Sequence, residues 1–173
     1  MLQAGLATVP GPFLSAVVAG PAGRLADRVG HRLVVVPGCV AFACGLLVLR
    51  GAGLEPDYVG TWLPGATLTG IGIGLAFPTL GAAAVRDIAP TRFGTASAVN
   101  GAFRQFGAVL GTAILVAIVG TPATLAAAED AANSAYLFGI LTALAAGGAS
   151  LLLRPARAPA ATLGEPVADA APS

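Results

Sequence analysis

Lysine is absent from this 173-residue chain, so all nine basic residues are arginine. Charge of either sign is scarce at 10% of residues, against about 25% in an ordinary soluble domain. That is too little to cover a globular surface in water. The net charge of +1 and the lack of a basic stripe leave nothing to hold a nucleic acid. Metal ligands are missing too: His31 is the only histidine, and Cys39 and Cys44 are the only cysteines. Five helical positions turn about 140°, so the two thiols do not share a face and read as small buried apolar groups. Ser15, Ser97, Ser134 and Ser150 have no base at motif spacing. We therefore expect no cofactor, no metal and no catalytic constellation.

What the chain does have is uncharged length. Such runs cover Met1–Gly23, Leu33–Leu49, Tyr58–Val85, Gln105–Ala128 and Ala131–Leu153. A bilayer core about 30 Å thick takes about 20 apolar helical residues to cross. The first run has no basic leader and is longer than a signal-peptide core, so it reads as a membrane helix. The expected fold is all-α and polytopic, a transmembrane bundle over 1–153. Its five helices are placed at about 2–22, 33–49, 61–83, 98–120 and 133–153. The Pro- and Ala-rich segment 154–173 is expected to be a disordered cytoplasmic tail.

Arginine placement predicts orientation. Arg24, Arg28, Arg32, Arg86, Arg92, Arg154 and Arg157 fall on one side of the bundle. Only Arg50 falls on the other, with Glu55, Asp57, Glu129 and Asp130. The positive-inside rule makes the arginine-rich side cytoplasmic, which puts the N-terminus outside and the C-terminus in the cytoplasm. Tyr58, Trp62 and Tyr136 then lie near outer helix ends, where amphipathic rings favour the headgroup layer.

One connection concentrates the charge: "GRLADRVGHR", Gly23 to Arg32. It resembles the signature cytoplasmic loop of the major facilitator superfamily, roughly G-x-L-x-D-R-x-G-R-R. Gly23, Leu25, Asp27, Arg28, Gly30 and Arg32 match, and His31 departs from a usually basic position. Further along, "LPGATLTGIGIGLAFPTLGAAAV" and "RDIAPTRFGTASAVNGAFRQFGAVLGTAIL" resemble the late helices of the fourteen-helix, EmrB/QacA-like drug:proton antiporter branch. The resemblance implies that the five helices form most of one half of a major-facilitator fold. It also implies export of small amphipathic solutes or drugs from a bacterial inner membrane by alternating access. The Gly23–Arg32 segment would be the gating latch. The implied partners are the lipid bilayer, a small-molecule substrate, and the missing N-terminal helices or a partner chain. The alternative is a truncated or split membrane protein that only binds a partner and transports nothing itself.

Other features need weighing. "GIGIG", Gly70 to Gly74, lacks the third glycine of a dinucleotide fingerprint. Gly70 with Gly74, and Gly107 with Gly111, are small-xxx-small pairs suited to close helix packing. Asn100, Arg104, Gly107 and Gly111 share one helical face, and Gln105 adjoins it. Two readings of this polar group stand at this stage. Arg104 either snorkels to the nearby cytoplasmic end or lines a cavity or gate with Asn100 and Gln105. Asp27, Glu55, Asp57, Asp87, Glu129 and Asp130 all fall in expected loops or at their edges, so a proton-coupling carboxylate is expected outside this chain.

Overall fold

The computed structural model describes residues 9–51, 58–85 and 88–152. Among them the regular structure is entirely helical. Helix α1 spans Pro10–Val29, α2 His31–Arg50, α3 Leu63–Val85, α4 Phe93–Val119 and α5 Leu125–Ser150. A π-helical turn, Tyr58–Trp62, leads into α3, and a 3-10 turn, Pro90–Arg92, leads into α4. Helices are what an apolar chain must form in lipid, because backbone N–H and C=O groups have no water to bond. Helix α3 makes the point. It holds Gly65, Gly70, Gly72, Gly74 and Gly81, each unfavourable by about 1 kcal/mol against alanine in water, and it is helical throughout.

Those glycines also organise the bundle. Helix α3 lies at the centre, with α1 on one side and α2 on the other; α5 covers α2. Toward α1, a Cβ on Gly70 would strike the backbone of Gly11, and one on Gly74 would meet Ser15 O at 2.7 Å. Toward α2, a Cβ on Gly72 would come 2.5 Å from Phe42 N and 2.7 Å from Gly38 O. Gly45 reciprocates, its Cβ position lying 2.7 Å from Thr69 N. These pairings run α3 parallel to α1 and antiparallel to α2. Lipid tails are as apolar as leucine side chains, so close backbone packing of this kind holds membrane helices together. On the far side of α2, Gly147 of α5 sits over Cys39.

Each central helix contains an internal proline: Pro21 in α1, Pro37 in α2 and Pro78 in α3. At 1.5 Å per residue, all three lie about 9–12 Å from the helix end nearest the Arg24–Arg32 segment. That side is called the arginine end below.

The observed boundaries differ from the sequence expectation in instructive ways. Helix α1 does not stop near Ala22 but continues to Val29, because Ala22 and Ala26, each 2% exposed, keep a small-residue face on the bundle. Helix α4 begins at Phe93 rather than near 98, directly after its 3-10 turn. Helix α5 begins at Leu125 rather than near 133, because Thr124 caps it: the Thr124 hydroxyl accepts from Ala127 N at 3.2 Å. Asp27, Glu129 and Asp130 therefore stand on helices, not in loops. The segment 154–173 lies outside the described residues.

Among the described residues, four helical segments are long and apolar enough to cross a bilayer: His31–Arg50, Tyr58–Val85, Phe93–Val119 and Leu125–Ser150. The described part of α1 falls short of the fifth expected span. Its last two turns carry Arg24, Asp27 and Arg28, and residues 1–8 of the apolar run lie outside the described residues. The fold is nevertheless all-α and polytopic. If the glycine seam holds it, Gly72→Ala will lower stability by about 1–3 kcal/mol through overpacking. Gly107→Ala, with nothing within 4 Å of its Cβ, will be neutral or stabilising by up to about 1 kcal/mol. Thermal alkylation of the buried Cys39 in detergent, in a Cys44→Ser background, reads both.

Candidate functional site

At the arginine end the chain passes from α1 to α2 through a single residue. Gly30 adopts φ 98° and ψ 144° and donates its N–H to Ala26 O at 2.9 Å. Its own carbonyl then accepts from Leu33 N at 3.2 Å, opening α2. Backbone of this kind is essentially glycine-only. The expected ten-residue latch loop is thus two helical turns, one glycine and the start of the next helix.

Side chains sort by size and charge around this joint. Ala22, Ala26 and Val34 form a buried cluster, with Val18 and Leu75 packed against it. Arg24, Leu25, Asp27 and Arg28 are exposed, while Gly23, Gly30 and Arg32 are half-buried. Alanine at i and i+4 draws α1 against α2 and α3 and leaves the charges on the opposite face. His31, the departure from the signature, is 8% exposed as the first residue of α2. Its burial carries no sequence signal, because it depends on how sharply Gly30 turns the chain.

The second group lies on α4. Asn100 is half-buried, and Arg104 and Gln105 are exposed. Since α4 begins at Phe93, Arg104 is eleven residues, or about 16 Å, from the arginine end of its helix. Its guanidinium carbon lies 5.5 Å from the centroid of the Phe77 ring on α3. Phe77 is itself eight residues, about 12 Å, inside the end of α3. The guanidinium therefore lies over an exposed ring on the free side of α3, between the helix ends. A cation at bilayer depth costs about 2.5–3.5 kcal/mol on insertion scales. A cation–π contact at an exposed site returns only about 0.5–1 kcal/mol.

The glycine pairs behave differently from each other. Gly70 and Gly74 are buried against α1, whereas Cβ atoms on Gly107 and Gly111 would meet nothing within 4 Å. Helix α4 has no buried residue at all. One further polar group escaped the sequence reading. Thr79 is fully buried on α3, and its hydroxyl has no hydrogen-bond partner among the described residues. Among the described residues no group of three His, Cys, Asp or Glu could hold a metal ion.

Comparison with known proteins bears on this arrangement. The sequence pattern of the Major Facilitator Superfamily matches residues 1–172. A protein named multidrug resistance protein B homolog, from Mycobacterium tuberculosis strain H37Rv, is 31% identical over 116 residues, which are 66% of this chain and 21% of that protein. Multidrug resistance protein 3 of Bacillus subtilis is 31% identical over 113 residues, 65% of this chain and 22% of that protein. The chain thus spans about a fifth of the length of the curated relatives it matches. No solved structure matches it.

The joint makes a sharp distinction between two signature glycines. Gly30→Ala forces a side chain into its positive-φ backbone and will destabilise by about 1–3 kcal/mol. Gly23→Ala, in mid-helix with open space around its Cβ, will not. Melting of the two variants in detergent separates them.

Proposed function

The chain belongs to the Major Facilitator Superfamily, a family of membrane transporters, and on that premise we propose that it is the C-terminal part of an efflux transporter. It exports small amphipathic solutes or drugs across a cell membrane by alternating access. Its five helices supply most of one half, and the opposing half comes from helices outside this chain. The observation that carries this reading is α4, whose 27 residues include none that is buried, yet whose middle holds Asn100, Arg104 and Gln105. Polar groups in membrane helices face a bundle interior or a water-filled path, so this face calls for protein or cavity opposite it. The multidrug-resistance names of the relatives support a drug-like cargo.

Roles follow from position. The arginine end faces the cytoplasm, which places the C-terminus inside and the N-terminus outside. Arg24, Asp27 and Arg28, on the last turns of α1, with Arg32 on the first turn of α2, form the latch that closes the cytoplasmic side. Because Gly30 alone joins the two helices, a tilt of α1 is passed directly to α2. Asn100, Arg104 and Gln105 belong to a gate where α4 meets the opposing half. Proton coupling runs through a carboxylate outside this chain; the described acids Asp27, Glu129 and Asp130 stand near helix ends, not at mid-depth.

Two measurements test the proposal. In proteoliposomes, this chain alone will give no proton-gradient-driven dye efflux, and the same helices joined to a complementary half will. Gradient-driven efflux by the chain alone would overturn the reading as a transporter part. If the joined protein binds dye without moving it, the chain is a binding module instead. For orientation, a Ser173→Cys variant will react with an impermeant maleimide only after the cells are opened; labelling of intact cells reverses the topology.

A further inference from the structure

Among the described residues, Arg104 is the one charge that does not stand within about two turns of a helix end. It lies eleven residues from one end of α4 and fifteen from the other, with its guanidinium over Phe77 rather than at a boundary. Arginine stays protonated and presents five N–H donors. The Phe77 ring, its centroid 5.5 Å from the guanidinium carbon, accepts none of those bonds conventionally. Desolvated cations in membrane helices are paired. Among the described residues no acid stands at that depth. The described carboxylates, Asp27, Glu129 and Asp130, stand near helix ends. The described residues of a second copy offer none either.

The same face has room for a partner. Asn100, Arg104, Gly107 and Gly111 lie along one side of α4, and Cβ atoms on both glycines would meet open space. Small residues at that spacing let a second helix backbone come close. The curated relatives are also far longer than the matched region, which covers about a fifth of each. We propose that Arg104 is the docking cation for a carboxylate on an apolar membrane helix outside this chain, seated along the Asn100–Gly111 face of α4. Asn100, one turn away, donates a second hydrogen bond to the same carboxylate. This rests on the transporter reading and specifies the chemistry of the complementary helix.

Photo-crosslinking in the membranes of the host cell tests it. The photoreactive p-benzoylphenylalanine replaces Phe103, 73% exposed beside Arg104, and in a control chain replaces Leu141, 65% exposed on α5. Cross-linked peptides are identified by mass spectrometry. The expected adduct, at position 103 and not at 141, is an apolar helical segment carrying an Asp or Glu. Arg104→Gln lowers that adduct by about tenfold or more, because one partner of a buried ion pair is gone. Arg104→Lys, which keeps the charge, stays within about threefold. Replacing the identified acid by Asn or Gln reproduces the loss.

The proposal is overturned if the adducts hold only lipid, a second copy of this chain or a helix without an acid. It is equally overturned if Arg104→Gln leaves the yield unchanged, or if the adduct responds to added benzoate as it would were Arg104 a solute site. Immunoblots of membrane fractions accompany each variant. A loss of chain in Arg104→Gln that Arg104→Lys restores counts for the pair, and a loss in both counts against it. A helical adduct insensitive to Arg104→Gln sinks this inference and leaves the transporter reading standing. Autonomous efflux by the chain sinks the transporter-part reading instead.

Discussion

Close approach of helix backbones across bare glycines is the constraint on which the structure depends. Helix α3 touches α1 through Gly70 and Gly74 and α2 through Gly65 and Gly72; at Gly70, Gly72 and Gly74 main chain stands where a side chain would otherwise be, and at Gly65 the Leu49 side chain does. In water, hydrophobic burial would drive such packing. In lipid it supplies little, and short-range dispersion between closely fitted surfaces takes over. The two glycine stripes fix α3 in the middle, which in turn fixes Phe77 and Pro78 on its free side. The position of the α1–α2 joint follows as well, because the Ala22, Ala26 and Val34 cluster closes against Leu75 of α3.

Against this tight core stands an open flank. Helix α4 touches α3 and α5 only lightly and buries nothing, though it runs for 27 residues. The contrast is one of purpose. Three helices are packed face to face by small residues, and the fourth presents bulky Phe103, Phe106 and Val109 together with one cation. An apolar flank facing lipid needs no charge, whereas a flank facing protein or a solute path has a use for one.

Much of this was legible in the sequence. Uncharged length gave the helices, and arginine asymmetry picked out one end of the bundle. The resemblance of Gly23–Arg32 and of the later segments pointed to the family that the sequence match bears out. Helix ends were less legible, for identifiable reasons. Charged residues were read as loop markers, yet Asp27, Glu129 and Asp130 stand on helical turns near helix ends. The Thr124 cap was outweighed by those acids. The depth of Arg104 was misjudged in the same way, because a helix starting near 98 would have left it close to an end. Burial of His31 and Thr79 was invisible, since neither follows from local pattern; both depend on where Gly30 and the glycine seam place the neighbouring helices.

The three internal prolines have a mechanical consequence. Each removes one ladder bond, so the carbonyls of Val17, Leu33 and Gly74 lose their helical donors. Since these gaps fall at one level of the bundle, and the unsatisfied Thr79 hydroxyl lies there too, the resistance to bending is weakest across a single slice. Beyond that slice the arginine-bearing segments form a short cap on a stiffer shaft. A small torque on the cap is taken up there as swivel, and the glycine-to-glycine contacts farther up the shaft need not open.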